Sequence, residues 1–174
     1  MSRIFSNCID KEYLEDLYSN DQILQMIGSS TVQWFNSIPK NEILELLNID
    51  FSSVVLIANR PFESTILDCK DEVLVGLQNP VMQFYYDHNY QLNLTSYDFV
   101  APDHMSVEFA FMENLIRKDD VVTQKEFLQN HLVFWSVPYL LSIQQSFQTP
   151  FYRDICDLAI EFLCTDFEFI CNIQ

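Results

Sequence analysis

Glycine is scarce in this sequence, and Gly28 and Gly76 are the only two glycines among 174 residues. Loops that cradle phosphate groups need clustered glycines, because the backbone must approach the phosphate closely and adopt conformations that side chains forbid. The sequence therefore excludes a P-loop and a dinucleotide-binding fold. Sheet topologies that depend on tight glycine turns are also disfavoured.

Long hydrophobic runs are missing, although hydrophobic residues make up 49% of the chain. No run of 18 or more apolar residues occurs, so we predict no membrane insertion. Residues 1–10 have no apolar stretch behind Arg3, which argues against a secretory signal. We therefore expect a cytoplasmic protein, and its length suits a single domain over residues 1–174.

The sequence has no Cys-x-x-Cys pair and no His-Glu-x-x-His motif. Its five cysteines are widely spaced: Cys8, Cys69, Cys156, Cys164 and Cys171. Disulfide frameworks and tetrahedral zinc sites normally show tighter spacing, so we predict small buried thiols in a reducing compartment. Three of the cysteines share one face of the last predicted helix, which leaves a metal site as the less favoured alternative. We predict neither a metal nor another cofactor.

Basic residues are few: 9 Lys and Arg stand against 25 Asp and Glu, for a net charge of −16. Such a surface repels phosphate backbones, so we predict no nucleic-acid partner. Residues 71–115 contain no Lys or Arg at all. Seven acidic residues fall within them: Asp71, Glu72, Asp87, Asp98, Asp103, Glu108 and Glu113. This distribution predicts a cationic ligand, with simple solubility as the alternative.

Apolar spacings of three, four and seven residues predict helices over most of the chain. We expect one helix over about residues 11–27, ended by Gly28, and another over about 41–58 with a possible break near 48–53. Residues 81–86 read as a helix or an extended segment. No strand partner is evident anywhere, so the predicted fold class is all-α.

Start signals divide the second half of the chain into further helices. Pro102-Asp103 opens a helix whose inward face is predicted to contain Met105, Phe109, Met112 and Ile116. Thr123 and Glu126 have the spacing of a capping box, and Pro138 is predicted to start a new helical segment. Thr149-Pro150 begins the last helix. Its predicted apolar stripe is Phe151, Ile155, Leu158, Ala159, Phe162 and Leu163.

The adjacent Asp103 and His104 are the one pair that suggests catalysis. A carboxyl group beside an imidazole is a candidate general acid/base pair, which raises a hydrolase as one alternative. No nucleophile or oxyanion donor accompanies the pair. Asp103 alone reads as a helix N-cap, and His104 alone reads as a surface or interface residue. We therefore predict that the chain is not an enzyme.

Two blocks of sequence resemble the TorD/DmsD/NarJ family of chaperones that mature molybdenum-containing redox enzymes. The first is Ala101-Pro102-Asp103-His104-Met105-Ser106-Val107-Glu108-Phe109-Ala110-Phe111-Met112, which looks like Pro-x-Asp-His-Leu-x-x-Glu-Leu-x-Phe-Met. The second consists of Phe127, His131-Leu132, Trp135, Pro138-Tyr139, Thr149 and Phe151-Tyr152. The resemblance covers roughly residues 80–163, and the proline is one place closer to Asp103 than in some members.

The resemblance implies a cytoplasmic, all-helical TorD-like chaperone. Such proteins bind the twin-arginine signal peptide, or another N-terminal segment, of an apo-molybdoenzyme subunit. They hold it until cofactor insertion, before export or assembly. The family includes monomers and swapped dimers. An acidic helical adaptor unrelated to redox enzymes is the main alternative function.

Matching positions give the expected peptide site. Asp103 and His104 would line it, with Asp103 accepting from a ligand arginine or capping the helix. Pro102 would fix the turn, and Glu108 would extend the acidic surface. Exposed aromatic residues are expected beside it: Tyr85, Tyr86 and Tyr97. His131 and Trp135 are expected to be buried packing residues.

Overall fold

A computed structural model describes residues 1–67, 74, 76–92 and 101–172 of the chain. Within these residues the regular structure is helical, and β-structure is limited to an isolated antiparallel bridge between Phe62 and His104. The all-α prediction is confirmed. None of the described helices is long and apolar enough to cross a membrane.

The chain divides into two compact units, each described here by itself. The motif unit comprises Met1–Ser6, Pro61–Tyr139 and Asp166–Gln174. The second unit comprises Asn7–Arg60 and Leu140–Thr165. The single domain expected over residues 1–174 stays a prediction.

Short helices build the motif unit. They are α1 (Ser2–Ser6), α6 (Glu63–Leu67), a 3-10 turn (Gly76–Gln78), α7 (Pro80–Asp87), α8 (Met105–Arg117), α9 (Val121–Phe127) and a π-helical segment (Leu128–Leu132). α10 (Val133–Ile143) and α11 (Pro150–Asn172) contribute residues to both units. Rings of Tyr85, Phe111 and Phe127 pack against one another in the core of this unit.

The second unit begins with helices that the sequence predicted as one. α2 (Lys11–Tyr18) ends before Asn20, whose side chain accepts from Ile23 N and so starts α3 (Asp21–Ile27). This local cap is why the predicted helix over 11–27 is divided. Gly28 ends α3, as expected, and α4 (Ser29–Phe35) follows directly.

Gly28 also permits a close approach between two segments of the second unit. A Cβ atom built at Gly28 would lie 2.4 Å from Asp154 Oδ2. That oxygen accepts from both Thr31 N and Thr31 Oγ1, each at 2.8 Å, and thereby caps α4 from outside the helix. The glycine is therefore required by packing as well as by the helix end.

The predicted helix over 41–58 is observed without a break. α5 (Lys40–Phe51) continues into a π-helical segment, Ser52–Ala58, in which Asn59 N donates to Val54 O. The possible break near residues 48–53 does not occur, because the helix widens into the π-helical segment and does not end. Isolated π-helical turns of this kind are frequent at functional sites.

Three expectations about helix ends and faces need correction. Asp120, and not Thr123, caps α9, since the Asp120 side chain accepts from Thr123 N at 3.1 Å. Pro138 lies inside α10, where the burial of Trp135 and Leu140 offsets the missing backbone bond. Ile116, which was expected to face inward on α8, is 50% exposed, and Leu115 is buried in its place.

The last helix begins at Pro150, as predicted. Phe162 is exposed, whereas Tyr152 and Cys156 lie in the core, so the buried face includes residues that the predicted stripe left out. Among the other cysteines, Cys8, Cys164 and Cys171 are exposed, which makes their predicted burial wrong. Cys69 lies outside the described residues.

Candidate functional site

The Pro102-Asp103-His104 segment lies inside the motif unit, and each of its residues is buried. It pairs with the chain just before α6: Met105 N donates to Pro61 O at 2.9 Å, and Glu63 N donates to Asp103 O at 3.0 Å. This short antiparallel pairing brings Asp103 to the N-terminus of α6. The backbone thus fixes where the motif side chains point.

The two adjacent motif residues cap different helices. Asp103 Oδ2 accepts from Ser64 N at 2.8 Å, so Asp103 caps α6 and not the helix that it precedes. His104 takes the place expected for Asp103: it is the N-cap of α8, and its Nδ1 accepts from Ser106 N at 3.2 Å. The sequence correctly predicted that Asp103 caps a helix. It indicated α8, however, whereas Asp103 caps α6.

One oxygen of Asp103 is left over. Oδ1 is buried and has no hydrogen-bond partner among the described residues. A buried polar atom without a partner costs free energy, and such an atom in a folded protein calls for an explanation.

A cavity of 260 Å³ lies beside Asp103 in the motif unit. Its lining residues are Glu63, Ser64, Leu67, Leu74, Asn79, Pro80 and Asp103. The charged side chains in this lining are both acidic. Asn79 shapes one side, because its Oδ1 accepts from Val81 N and its Nδ2 donates to Leu74 O. The cavity is smaller than the roughly 300–1,000 Å³ of small-molecule sites, so it suits one side chain.

Other polar side chains of the motif unit are buried and hydrogen-bonded to one another. His131 Nδ1 donates to Glu63 Oε1 at 3.0 Å, and Trp135 Nε1 donates to Glu108 Oε2 at 3.0 Å. Burial, and then the nearby Glu63, hold the pKa of Glu108 well above its ordinary value. The predicted burial of His131 and Trp135 is confirmed. Both also hold carboxyl groups in place.

The expected site residues do not form one surface. Glu108 is fully buried, so it does not extend an acidic surface, and its partner Trp135 explains why it can be inside. The expectation that Tyr85 is exposed is wrong, since Tyr85 is buried and its hydroxyl donates to Pro102 O at 3.2 Å. Tyr86 is 66% exposed, as expected. Tyr97 lies outside the described residues.

Sequence reasoning missed Glu63, Ser64 and Asn79. Asn79 had a signal, because an asparagine directly before a proline is typical of a capped helix start, and Asn79 does cap α7. No pattern in the sequence pointed to Glu63 or Ser64. They reach Asp103 and His131 only through contacts between residues 39 and 68 positions apart.

The geometry counts against a hydrolase built on Asp103 and His104. Burial lowers the pKa of His104 to about 3, far below the near-neutral value that suits a general base. Both side chains are also engaged in capping helices. Over the described residues, no group of three metal-ligating side chains is found.

We expect His104→Asn to reduce the acid sensitivity of folding. The lowered pKa means that the unfolded chain binds a proton more readily, so stability is present above the ordinary value of 6.5 and is lost as pH falls toward about 3. Asparagine caps a helix equally well and does not titrate. Urea denaturation near neutral pH and at mildly acidic pH measures the free energy of unfolding of both proteins. The value for the variant should rise relative to that of the wild type as pH falls. A constant difference would contradict this.

Glu108 should give folding stability the opposite dependence on pH. Its raised pKa means that stability is present below the ordinary carboxyl range and is lost as pH rises through the folded value. Glu108→Gln removes the ionisation, so its free energy of unfolding should rise relative to wild type as pH increases. Glu113→Gln, at an exposed position of the same helix, is the control. Equal pH profiles for the two variants would refute the assignment.

No family model matches this chain. The chain is similar to two TorD chaperones. It is 31% identical over 71 residues to the chaperone protein TorD of Salmonella bongori, covering 40% of this chain and 34% of that protein. It is 24% identical over 160 residues to the chaperone protein TorD of Aggregatibacter aphrophilus, covering 89% of this chain and 72% of that protein.

The chain therefore spans about a third of the first relative and most of the second. Both relatives are named chaperones, which agrees with the expectation of a protein that binds another protein. The similarity supports the TorD-like resemblance that the two sequence blocks carry.

Proposed function

We propose that this chain is a cytoplasmic maturation chaperone for a molybdenum-containing oxidoreductase. It binds the twin-arginine signal peptide, or another N-terminal segment, of the apo-enzyme subunit and holds it until cofactor insertion. The similarity to two TorD chaperones supports the class of function. The observation that carries the binding mode is the unpartnered Oδ1 of Asp103 beside an acidic cavity.

An arginine side chain fits the chemistry of this cavity. Its guanidinium group carries several N–H donors on a planar fork and stays charged when removed from water. Asp103 Oδ1 offers a buried acceptor, and Glu63 adds a second carboxyl group in the lining. Hydrogen bonds between charged groups are about twice as strong as neutral ones. One arginine of the leader would therefore enter the cavity and donate to Asp103.

The other motif residues do not contact the leader in this proposal and instead hold the site in position. His104 and Tyr85 hold the segment that carries Asp103, through Ser106 N and Pro102 O respectively. Glu108 and Trp135 lock α8 against α10. We assign contact with the leader to Asp103 and Glu63, which line the cavity, together with the exposed Tyr86. Positioning is assigned to the other motif residues: Tyr85, His104, Glu108 and Trp135. Pro102 fixes the turn between Ala101 and Asp103.

Binding of a leader peptide tests this function directly. Calorimetric titration of the full chain with a synthetic twin-arginine leader should show saturable binding. The same peptide with both arginines replaced by glutamine should bind at least about tenfold more weakly, because it loses the charged donors. Equal affinity for the two peptides, or no binding of either, would refute the proposal.

Salt should weaken this binding only in part. Exposed acidic residues attract the leader over a screening length of about 10 Å at 0.1 M salt, and this contribution shrinks as salt is added. The pair inside the cavity and the apolar contacts persist, so residual affinity should remain at high salt. Titrations over a series of salt concentrations measure the slope. An affinity independent of salt would remove the role of the acidic surface.

A further inference from the structure

The motif unit buries the carboxyl groups of Glu63, Asp103 and Glu108. Asp103 and Glu108 are fully buried, and Glu63 is almost so. Their hydrogen-bond donors are an imidazole N–H, a backbone N–H and an indole N–H, from His131, Ser64 and Trp135 respectively. None of these donors carries a permanent positive charge. Buried negative charges that are not paired with cations are costly, so such a cluster favours keeping a proton.

Glu108 is the member of this cluster that keeps the proton. Burial, the charge of Glu63 and then that of Asp103 hold the pKa of Glu108 well above its ordinary value. The hydrogen bond from Trp135 opposes these effects only in part. Glu108 is therefore neutral over a pH range in which exposed glutamates are ionised.

The titratable groups around Glu108 come from several elements. In chain order they are Glu63 on α6, Tyr85 on α7, Asp103 and His104 before α8, and His131 on the π-helical segment. Burial raises the pKa of Tyr85 well above its ordinary value and lowers that of His104 to about 3, so both are uncharged at neutral pH. α1 packs on α8 through Phe5, and its amino-terminal group acts on Glu113.

The 260 Å³ cavity gives a cation access to this cluster. Glu63 and Asp103 line the cavity, and they are the two charged groups that oppose the ionisation of Glu108. A guanidinium ion in the cavity would place a positive charge between these carboxyl groups and solvent. A nearby positive charge favours the ionised form of a carboxyl group. Occupation of the cavity therefore weakens the hold of Glu108 on its proton.

We propose that entry of the leader's arginine into the cavity is coupled to the release of a proton from Glu108, an inference that rests on the proposed function. The O–H bond of Glu108 breaks, its electron pair stays on the carboxylate, and the proton passes to water. Trp135 Nε1 then donates to a charged acceptor, which strengthens this hydrogen bond. The site gains one positive and one negative charge, so its net charge is unchanged.

The coupling makes the affinity for the leader depend on pH. Because binding releases a proton, it is favoured as pH rises and weakened as pH falls. Release of one proton corresponds to a change in affinity of about tenfold per pH unit. Exposed carboxyl groups are already ionised between about pH 6 and pH 8, so they add little to the slope in this range.

Calorimetric titration in buffers of different ionisation enthalpy counts the protons released. The probe is a synthetic twin-arginine leader that is acetylated at its N-terminus and contains no histidine, so the peptide itself does not titrate between about pH 6 and pH 8. The wild type should release up to about one proton per leader, and its affinity should rise with pH by the amount that this count predicts. This measurement needs no variant.

Glu108→Gln tests whether Glu108 is the source of the proton. Glutamine resembles the protonated carboxyl group and still accepts from Trp135 Nε1. The variant should lose most of the proton release and most of the pH slope, while it binds the leader like the wild type at the acidic end of the range. Glu113→Gln, at an exposed position of the same helix, is the control and should keep both. A purely structural role of Glu108 would change affinity equally at every pH.

Three results would overturn the inference. The first is a wild type that binds the leader without releasing protons, which would leave the proposed function standing. The second is proton release that persists in Glu108→Gln, and its loss in His131→Gln would then assign the proton to His131. The third is a wild type that does not bind the leader, which would refute the proposed function as well.

Discussion

Asp50→Ala is expected to lower the free energy of unfolding by about 3–5 kcal/mol, the largest stability effect that we expect from one side chain. Asp50 is buried on α5 and accepts from Gln148 N, Thr149 N and Thr149 Oγ1, with its shortest contacts at 2.7 Å. These donors lie just before α11. Alanine would leave the two buried Thr149 donors and the part-buried Gln148 N without this acceptor, and each buried unsatisfied group costs about 1–3 kcal/mol.

Two further variants control this measurement in urea denaturation. Asp50→Asn keeps one acceptor oxygen and the side-chain volume, so its loss should be smaller. Glu45→Ala, on the exposed side of the same helix, should change stability by no more than about 0.5 kcal/mol. A loss for Asp50→Ala no greater than that for Glu45→Ala would show that the start of α11 does not depend on this carboxyl group.

The parts of the fold set by local chemistry could be predicted from the sequence. Apolar periodicity is a local property, and it identified an all-α chain. The start of α11 at Pro150 followed from Thr149-Pro150, and Gly28 was placed correctly at a helix end. Asn20 and Asp120 are also local caps, but other polar residues nearby compete for the same role. Choosing among such neighbours requires the backbone geometry.

The candidate site was predictable only in its residue types. The motif named Asp103 and His104, but not which helix each caps, because the partners lie far away in sequence. Ser64 is 39 positions from Asp103, Glu63 is 68 from His131, and Glu108 is 27 from Trp135. A pattern of residues shows that polar groups are present. It does not show whether they face solvent or satisfy one another inside the protein.

The burial of the motif changes how its residues act. An exposed acidic patch would attract a basic peptide through many weak and well-screened contacts. In the motif unit, Glu63, His104 and Glu108 instead make buried hydrogen bonds, and one carboxyl oxygen of Asp103 has no partner beside a cavity. The proposed recognition of an arginine rests chiefly on this oxygen, so we expect a single substitution at Asp103 to weaken it strongly.

Asp103→Asn is therefore the variant with the largest expected effect on binding. The amide oxygen of asparagine can still accept from Ser64 N, so α6 keeps its cap. The amide nitrogen then replaces Oδ1 and presents a donor where the arginine needs an acceptor. We expect leader affinity to fall by about 10- to 150-fold, the worth of a charged hydrogen bond. Folding stability should change little, because the cap to Ser64 N is kept and one buried polar atom without a partner replaces another.

Calorimetric titration of Asp103→Asn with the twin-arginine leader, beside thermal melts, tests the central claim most directly. Asp87→Asn is the matched control, since Asp87 is an exposed acidic residue on α7 in the same base-free stretch. We expect Asp103→Asn to melt like the wild type yet lose most of its affinity for the leader, while Asp87→Asn keeps both its stability and its affinity. Wild-type affinity in an equally stable Asp103→Asn protein would contradict the central claim.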